Sequence, residues 1–422
     1  MTVQPVPGFK PDVKDVALAA IRLKDVVRET PLEPHFGSSE RYAANVLLKR
    51  EDLQAVRSYK IRGAYNKINS LNKCQLSKGI VCASAGNHAQ GVALSCQRLG
   101  INGQIFMPSP TPSQKVKKVK WFGRSFVDIS LIGDTFDDAY NAALDYSKTH
   151  NATFIHPFND EKIIEGQATV GLEILNQANY PIDYLFLPVG GGGLAAGVST
   201  VFKSLSRSTR IIGVEPEGAP AMVRAFQAGH LVTLDHIDAF ADGAAVRRVG
   251  DLTFTLCQKN LDAIVTVPEG KICEVILQLY HEDAIVTEPA GALALGALDQ
   301  FRKEIKGKNV VCLLSGGNND ISRMPEVKER LLLYKNLKHY FIVKFPQRAG
   351  ALKEFVTEVL GPDDDIVHFE YTKKTSRTQG PAMVGIELKT PSDFEPLLTR
   401  MKDLQFFGEY LNDKPHFFQY MI

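Results

Sequence analysis

The sequence predicts an α/β protein on a mostly parallel sheet, followed by a small α+β unit. Three observations predict this. Over about residues 15–320, short apolar runs alternate with helix-like segments. Those runs end in glycine-rich or polar loops that open helices, the order expected of strand–loop–helix repeats. The last 85 or so residues change texture and take the order βαββαβ, a ferredoxin-like pattern.

The elements follow in order. Residues 80–83 form a strand-like run, then SAGNHAQG, then an apolar-periodic stretch ending at Gly100. Residues 105–107 form a second run that ends at PSPTPSQ. Residues 184–189 run into four glycines and then LAAGVSTVFKSL. Residues 210–214 end at EPEG, and residues 310–314 at SGGNND. Ligands of such sheets bind where strand ends give way to loops. Loops 84–91, 190–194 and 315–320 are therefore candidates for one site.

Residues 325–337 suit a helical neck, with Pro325 in the first turn and Val327, Leu331 and Tyr334 at helical spacing. Beyond it HYFIVKF is a strand, QRAG a turn and ALKEFVTEVL an amphipathic helix. DIVHFEYT and PAMVGIELK are strands, PSDFEPLLTRMKDL a helix, and PHFFQYMI a closing strand. The expected domains are 1–324, made of two α/β subdomains, the neck 325–337, and 338–422.

Composition narrows the function classes. Lysine plus arginine is 49 and aspartate plus glutamate 47, so a net charge of +2 gives no general attraction to nucleic acid or anionic membrane. A chain of 422 residues can bury a large core without disulfides or structural metal. The six cysteines form no C-x-x-C pair and no Cys/His cluster of zinc spacing, so no metal is expected, and a reducing compartment is. The N-terminal MTVQPVPGFKPDVKD lacks a signal-peptide pattern. The most apolar long stretch, residues 184–202, holds Pro188 and five glycines, which fits a membrane span poorly. A soluble cytoplasmic protein is expected.

Four segments carry chemistry. Gly190, Gly191, Gly192 and Gly193, with Leu194, join a buried strand to a helix N-terminus, a place suited to a phosphate. The run is neither GxxxxGK[ST] nor a clean dinucleotide fingerprint, and alone it could be a tight turn. Lys60 lies in RSYKIRGAYNKI; a partly desolvated lysine has a lowered pKa and can form a Schiff base with a carbonyl. Ser84, Ala85, Gly86, Asn87 and His88 bring N–H groups and side-chain donors to a strand–helix junction, suited to a carboxylate or ring oxygen. A simple helix cap by Ser84 or Asn87 is the alternative. Ser315 ends a buried strand, where its hydroxyl can meet a heteroaromatic nitrogen, or it can belong to an ordinary turn.

Together the four are far more specific. S-Y-K-I-R-G-A, then SAGNHAQG, GGGGL and SGGN, in this order, closely resemble the pyridoxal-phosphate enzymes of the tryptophan-synthase-β-like fold (fold type II), over about residues 15–322. Within them the chain is similar to the serine/threonine dehydratases. With the C-terminal segment, similar to an ACT-like regulatory domain, it resembles the biosynthetic threonine dehydratase family. There is room for one such module, where longer relatives carry two.

The resemblance implies roles. Lys60 would hold pyridoxal 5'-phosphate as a Schiff base and later take the Cα proton. Gly190, Gly191, Gly192, Gly193 and Leu194 would cradle its phosphate. Asn87 would meet the ring hydroxyl and Ser315 the ring nitrogen, while residues 84–88 would bind the substrate carboxylate. The implied reaction turns L-threonine into 2-oxobutanoate and ammonia, the first step of isoleucine synthesis. L-serine is a possible secondary substrate, L-isoleucine the implied effector (with valine a candidate), and a homo-oligomer, dimer or tetramer, the implied assembly.

Departures from the pattern matter too. Serine racemases place an acid at the position of Ala85, so racemisation should be poor. Glu215 matches half of their cation site, but Ala221 stands where the second acid would be. Tyr59 replaces a common phenylalanine, and Ala349 a common proline. A catabolic dehydratase is a competing expectation, though such forms usually lack the C-terminal module. A non-catalytic amino-acid sensor is another, disfavoured by Lys60, Asn87, the glycines and Ser315 occurring together.

Overall fold

The computed structural model describes residues 11–371 and 379–414. The chain divides into two compact units, Met1–Asn319 and Asp320–Ile422.

In chain order the strands of the first unit are β1 Leu32–Pro34, β2 Asn45–Arg50, β3 Ile80–Ala83, β4 Gly103–Met107 and β5 Val127–Leu131. Then come β6 Thr153–Phe154, β7 Tyr184–Pro188, β8 Arg210–Pro216, β9 Ala263–Val267 and β10 Asn309–Leu314. They sort into a large sheet, β1-β2-β10-β7-β8-β9, and a small one, β5-β4-β3-β6. Every pairing is parallel except β1 with β2.

The central strands are near-continuous apolar runs because helices cover both faces of a parallel sheet. Leu185, Leu187, Val311 and Leu313 pack with Val198 and Phe202 in one core. Ile80, Cys82 and Ile105 pack with Val92 and with Ile61, Ala64 and Ile68 of helix Lys60–Asn69 in the other. The small sheet enters the chain between β2 and β7, and β10 returns late to pair with both of them. That return brings loop 315–320 back to the helix that begins at Lys60.

The five expected strands of this unit are present, and β1, β2, β5, β6 and β9 join them. NVLLKR hides as a strand because it ends in two cations. Lys49 is nevertheless fully buried. Its ammonium donates to Thr30 O at 2.6 Å, Glu173 Oε2 at 2.7 Å and Gln177 Oε1 at 3.1 Å, which satisfies all three protons. Five of the six cysteines are buried, and Cys74 is exposed.

The second unit opens with helix Met324–Tyr334, which carries Pro325 in its first turn. Its strands are β11 Lys338–Pro346, β12 Asp365–Tyr371, β13 Gln379–Glu387 and β14 Phe407–Tyr410, ordered β12-β13-β11-β14 and antiparallel throughout. Phe341, Val343 and Phe345 alternate onto one face and meet Phe355, Val359, Leu397 and Met401. On the opening helix, Glu329 accepts from Tyr340 Oη at 2.7 Å and pairs with Lys338.

Residues 407–410 form the fourth strand, while the expected closing strand, 415–422, lies outside the described residues. Gly408 allows this: a Cβ there would stand 2.4 Å from Ile342 O, so only glycine lets this strand lie against β11.

Candidate active site

Lys60 is the first residue of its helix, and Tyr59 is the N-cap. The three residues before it pair with loop 315–317. Tyr59 N donates to Ser315 O at 3.2 Å, Gly317 N to Arg57 O at 2.8 Å, and Ser58 bridges Gly316. Two segments far apart in sequence thus place Lys60 beside the buried Ser315. Lys60 is half-buried as a residue, and loss of water around its amine pushes the pKa down to about 8 against the pull of nearby Glu288.

Glu288 is the group that sequence reasoning missed. It precedes Pro289, the first residue of helix Pro289–Gly296, and is buried. Asn87 Nδ2 donates to its two oxygens at 2.7 and 3.0 Å. A Cβ on Gly316 would stand 2.4 Å from its Oε1, and one on Gly243 3.1 Å, so two glycines make room for this carboxyl. Burial, then the charge of Asp242, raise its pKa to about 7. Its signal in the sequence is an acid at the head of an otherwise uncharged stretch, PAGALALGAL.

Helix Asn87–Leu99 starts where SAGNHAQG predicts a junction, with Gly86 as N-cap and no side-chain cap. Ser84 Oγ accepts from Gly86 N at 3.1 Å instead of capping the helix. The first-turn N–H groups therefore have no intrahelical acceptor and remain on offer to an anion. A Cβ on Gly86 would meet nothing within 4 Å, so the loop borders open space. The His88 ring lies elsewhere. Its Nε2 bonds Ile155 O at 2.9 Å, and burial holds its pKa down at about 3. Any part His88 plays in the loop falls to its backbone N–H.

The glycine turn opens helix Gly193–Leu205, whose N-cap Gly192 has φ +89°. A Cβ on Gly191 would stand 2.2 Å from the Phe158 ring, and one on Gly190 2.8 Å from Ala244 O. Only backbone can occupy this turn, and its N–H groups head a helix. Leu194 is buried in that first turn. Thr253 Oγ1 donates to Gly191 O at 2.6 Å and fixes the loop's carbonyl. Gly190 abuts Ala244, and Gly243 beside it abuts Glu288. One chain of contacts thus ties the glycine turn to Glu288, Asn87 and Lys60.

Glu215, half of the supposed cation site, serves another purpose. Its oxygens accept from Met222 N and Val223 N, both at 2.8 Å, at the start of helix Ala221–Ala228. Burial outweighs these bonds and raises its pKa to about 8.

Residues 23–316 match the family described as pyridoxal-phosphate dependent enzyme, which sets the class of the first unit. Residues 329–421 match the C-terminal regulatory domain of threonine dehydratase. The "L-threonine dehydratase biosynthetic IlvA" of Halalkalibacterium halodurans is 56% identical over 98% of this chain and 100% of its own length. That of Bacillus subtilis is 54% identical over 97% of each. The processed form of threonine deaminase isoform 2 from Solanum lycopersicum aligns with TM-score 0.72 and 42% identity over 76% of this chain and 89% of its own. Maize serine racemase aligns with TM-score 0.71 and 30% identity over 77% and 99%. The chain belongs to the biosynthetic threonine dehydratases, pyridoxal-phosphate-dependent enzymes with a C-terminal regulatory domain.

The residues present fit that cofactor. A turn too tight for any side chain offers N–H groups to a phosphate. A desolvated amine, an amide and a serine hydroxyl are gathered around it for the ring.

Proposed function

We propose that this chain converts L-threonine to 2-oxobutanoate and ammonia, and that L-isoleucine acts through the second unit to slow it, with valine a candidate opposing effector. The observation that carries the reading is the gathering of Lys60, Asn87, Ser315 and the glycine turn around Glu288. Gly190–Gly193 and Leu194 would hold the cofactor phosphate, Asn87 the ring hydroxyl, Ser315 the ring nitrogen and Lys60 the reactive carbon. When bound, the cofactor supplies the electron sink that stabilises negative charge at the substrate Cα.

The protein's own groups do the rest. Residues Ser84–His88, with the free N–H groups at the start of helix Asn87–Leu99, would hold the substrate carboxylate and aim the Cα–H bond. Lys60 Nζ takes the Cα proton; a pKa near 8 leaves an appreciable neutral fraction at physiological pH. The β-hydroxyl takes up a proton and departs as water, which balances the proton Lys60 removed; the released enamine tautomerises to an imine, and water hydrolyses it to 2-oxobutanoate and ammonia. Ser315, unlike an acid, leaves the ring nitrogen uncharged, which favours elimination over transamination. Ala85 has no proton to give, which disfavours racemisation. The working form is a cytoplasmic homo-oligomer, a dimer or tetramer.

The test is 2-oxobutanoate formation from L-threonine by the purified chain, with and without L-isoleucine. Turnover suppressed by isoleucine supports both halves of the proposal. Turnover indifferent to it removes isoleucine as effector. A cofactor-loaded protein that leaves threonine untouched overturns the substrate.

A further inference from the structure

The Asn87 side chain is held from both ends. Its Oδ1 accepts from Asn318 Nδ2 at 2.7 Å, while its Nδ2 faces Glu288. Asn318 Nδ2 also donates to Val56 O at 2.8 Å, which uses its second hydrogen. Asn318 Oδ1 accepts from Lys118 Nζ at 2.6 Å.

An ammonium only donates. Lys118 at the oxygen and the Val56 carbonyl, which only accepts, at the nitrogen together set which end of the Asn318 amide is oxygen. Asn318 then presents its nitrogen to Asn87, and Asn87 must turn its own oxygen toward Asn318 and its nitrogen toward Glu288. Without the lysine, the energetic difference between the two amide orientations shrinks. A flipped Asn87 would set a carbonyl oxygen against the Glu288 carboxyl.

Lys118 stands on helix Ser113–Gly123, which packs with the small sheet. One turn earlier Lys115 reaches Asp242 at 2.6 Å. The helix thus makes two contacts to segments beyond the small sheet. Lys118 is exposed as a residue, but partial desolvation of its ammonium and the Arg57 guanidinium lower its pKa, and Glu288 opposes them.

We propose that Lys118 is a positioning residue for the reaction: acting through Asn318, it fixes the orientation of the Asn87 amide at the site. The inference rests on the reading in which Asn87 meets the cofactor ring.

The test uses the full chain loaded with pyridoxal phosphate. The variants are Lys118→Met, Lys118→Arg, Asn318→Ala and the double variant Lys118→Met/Asn318→Ala. Lys117→Met, an exposed neighbour on the same helix, is the control. Two quantities are read: the visible absorbance band of the bound cofactor, and kcat apart from KM for threonine. Trp121, the only tryptophan, lies on this helix and is 72% exposed, so its emission reports whether the helix keeps its place.

Lys118→Met should move the band and lower kcat about tenfold with KM nearly unchanged, the loss expected of one charge-assisted hydrogen bond. Asn318→Ala should do the same, and the double variant should be no worse than either, because both act on one amide. Lys118→Arg, which keeps a donor, should recover most of the loss. A wild-type band and kcat in Lys118→Met would overturn the inference, as would losses that multiply in the double variant. If the wild-type chain leaves threonine untouched, the proposed function fails, and the absorbance arm still decides for or against Lys118.

Discussion

Lys60 and Arg62 lie two residues apart on one helical turn, yet they live in opposite electrostatic worlds. Arg62 is fully buried. Its guanidinium donates to Glu51 at 2.7 and 2.8 Å, to Glu173 at 2.6 and 2.8 Å, and to Thr169 Oγ1 at 3.1 Å. Lys49 shares Glu173, so two cations and two carboxylates close a neutral group. Burial would lower the Arg62 pKa, and Glu51 and Glu173 more than reverse it. Lys60 has Glu288 as a nearby opposing charge, and burial prevails. A buried charge whose donors are all met builds structure, whereas one that is under-served keeps reactivity.

Four changes break or sharpen this contrast, in falling order of effect. Lys60→Ala should fold normally by circular dichroism, lose the visible band of bound cofactor, and lose turnover by about 10⁴-fold or more. Residual turnover near wild type would remove Lys60 from the chemistry. Arg62→Met should strand Glu51 and part of Glu173 in the interior and cost about 3–5 kcal/mol in urea unfolding. A variant as stable as wild type would show that the group contributes no structural support.

Glu215→Ala removes the acceptor for two helix N–H groups, and about 2 kcal/mol of stability should go with it. Turnover of the folded protein at low temperature should survive, which separates this carboxyl from Glu288. The smallest effect is a shift in pH. Uptake of pyridoxal phosphate by the apoprotein should accelerate with pH around a midpoint near 8, where Lys60 loses its proton. Glu288→Gln removes the negative charge that holds that proton, so the midpoint should fall by about one pH unit. The carboxyl has its own linkage sign. Its pKa is raised in the fold from 4.5 to about 7, so its contribution to stability is fully present below 4.5 and fades as pH rises through 7. Glu288→Gln should flatten that part of the stability–pH curve.

Much of the frame was legible from sequence alone. Parallel strands announce themselves as unbroken apolar runs, and IVCA, YLFLP and NVVCLL are fully or almost fully buried in the structure. NVLLKR did not, because its lysine is inside only by virtue of three partners from two other segments. Lys60, Asn87, Ser315 and the glycines could be named because each belongs to a local motif. Glu288 belongs to none; its meaning arises only when Gly243, Gly316 and Asn87 surround it. The His88 ring shows the converse, since a polar side chain in a promising loop turns into the core to bond a carbonyl.

The enclosed charge group around Arg62 has a consequence for how the enzyme meets heat and salt. Arg62, Lys49 and Glu51 have essentially no exposed surface, so bulk ions cannot screen their attraction. The hydration that unfolding would return to these ions grows less favourable as temperature rises, while apolar burial gains little. The junction beside Lys60 is therefore expected to be among the last places to soften on warming. Heat inactivation would begin elsewhere, with the lysine still clamped in register.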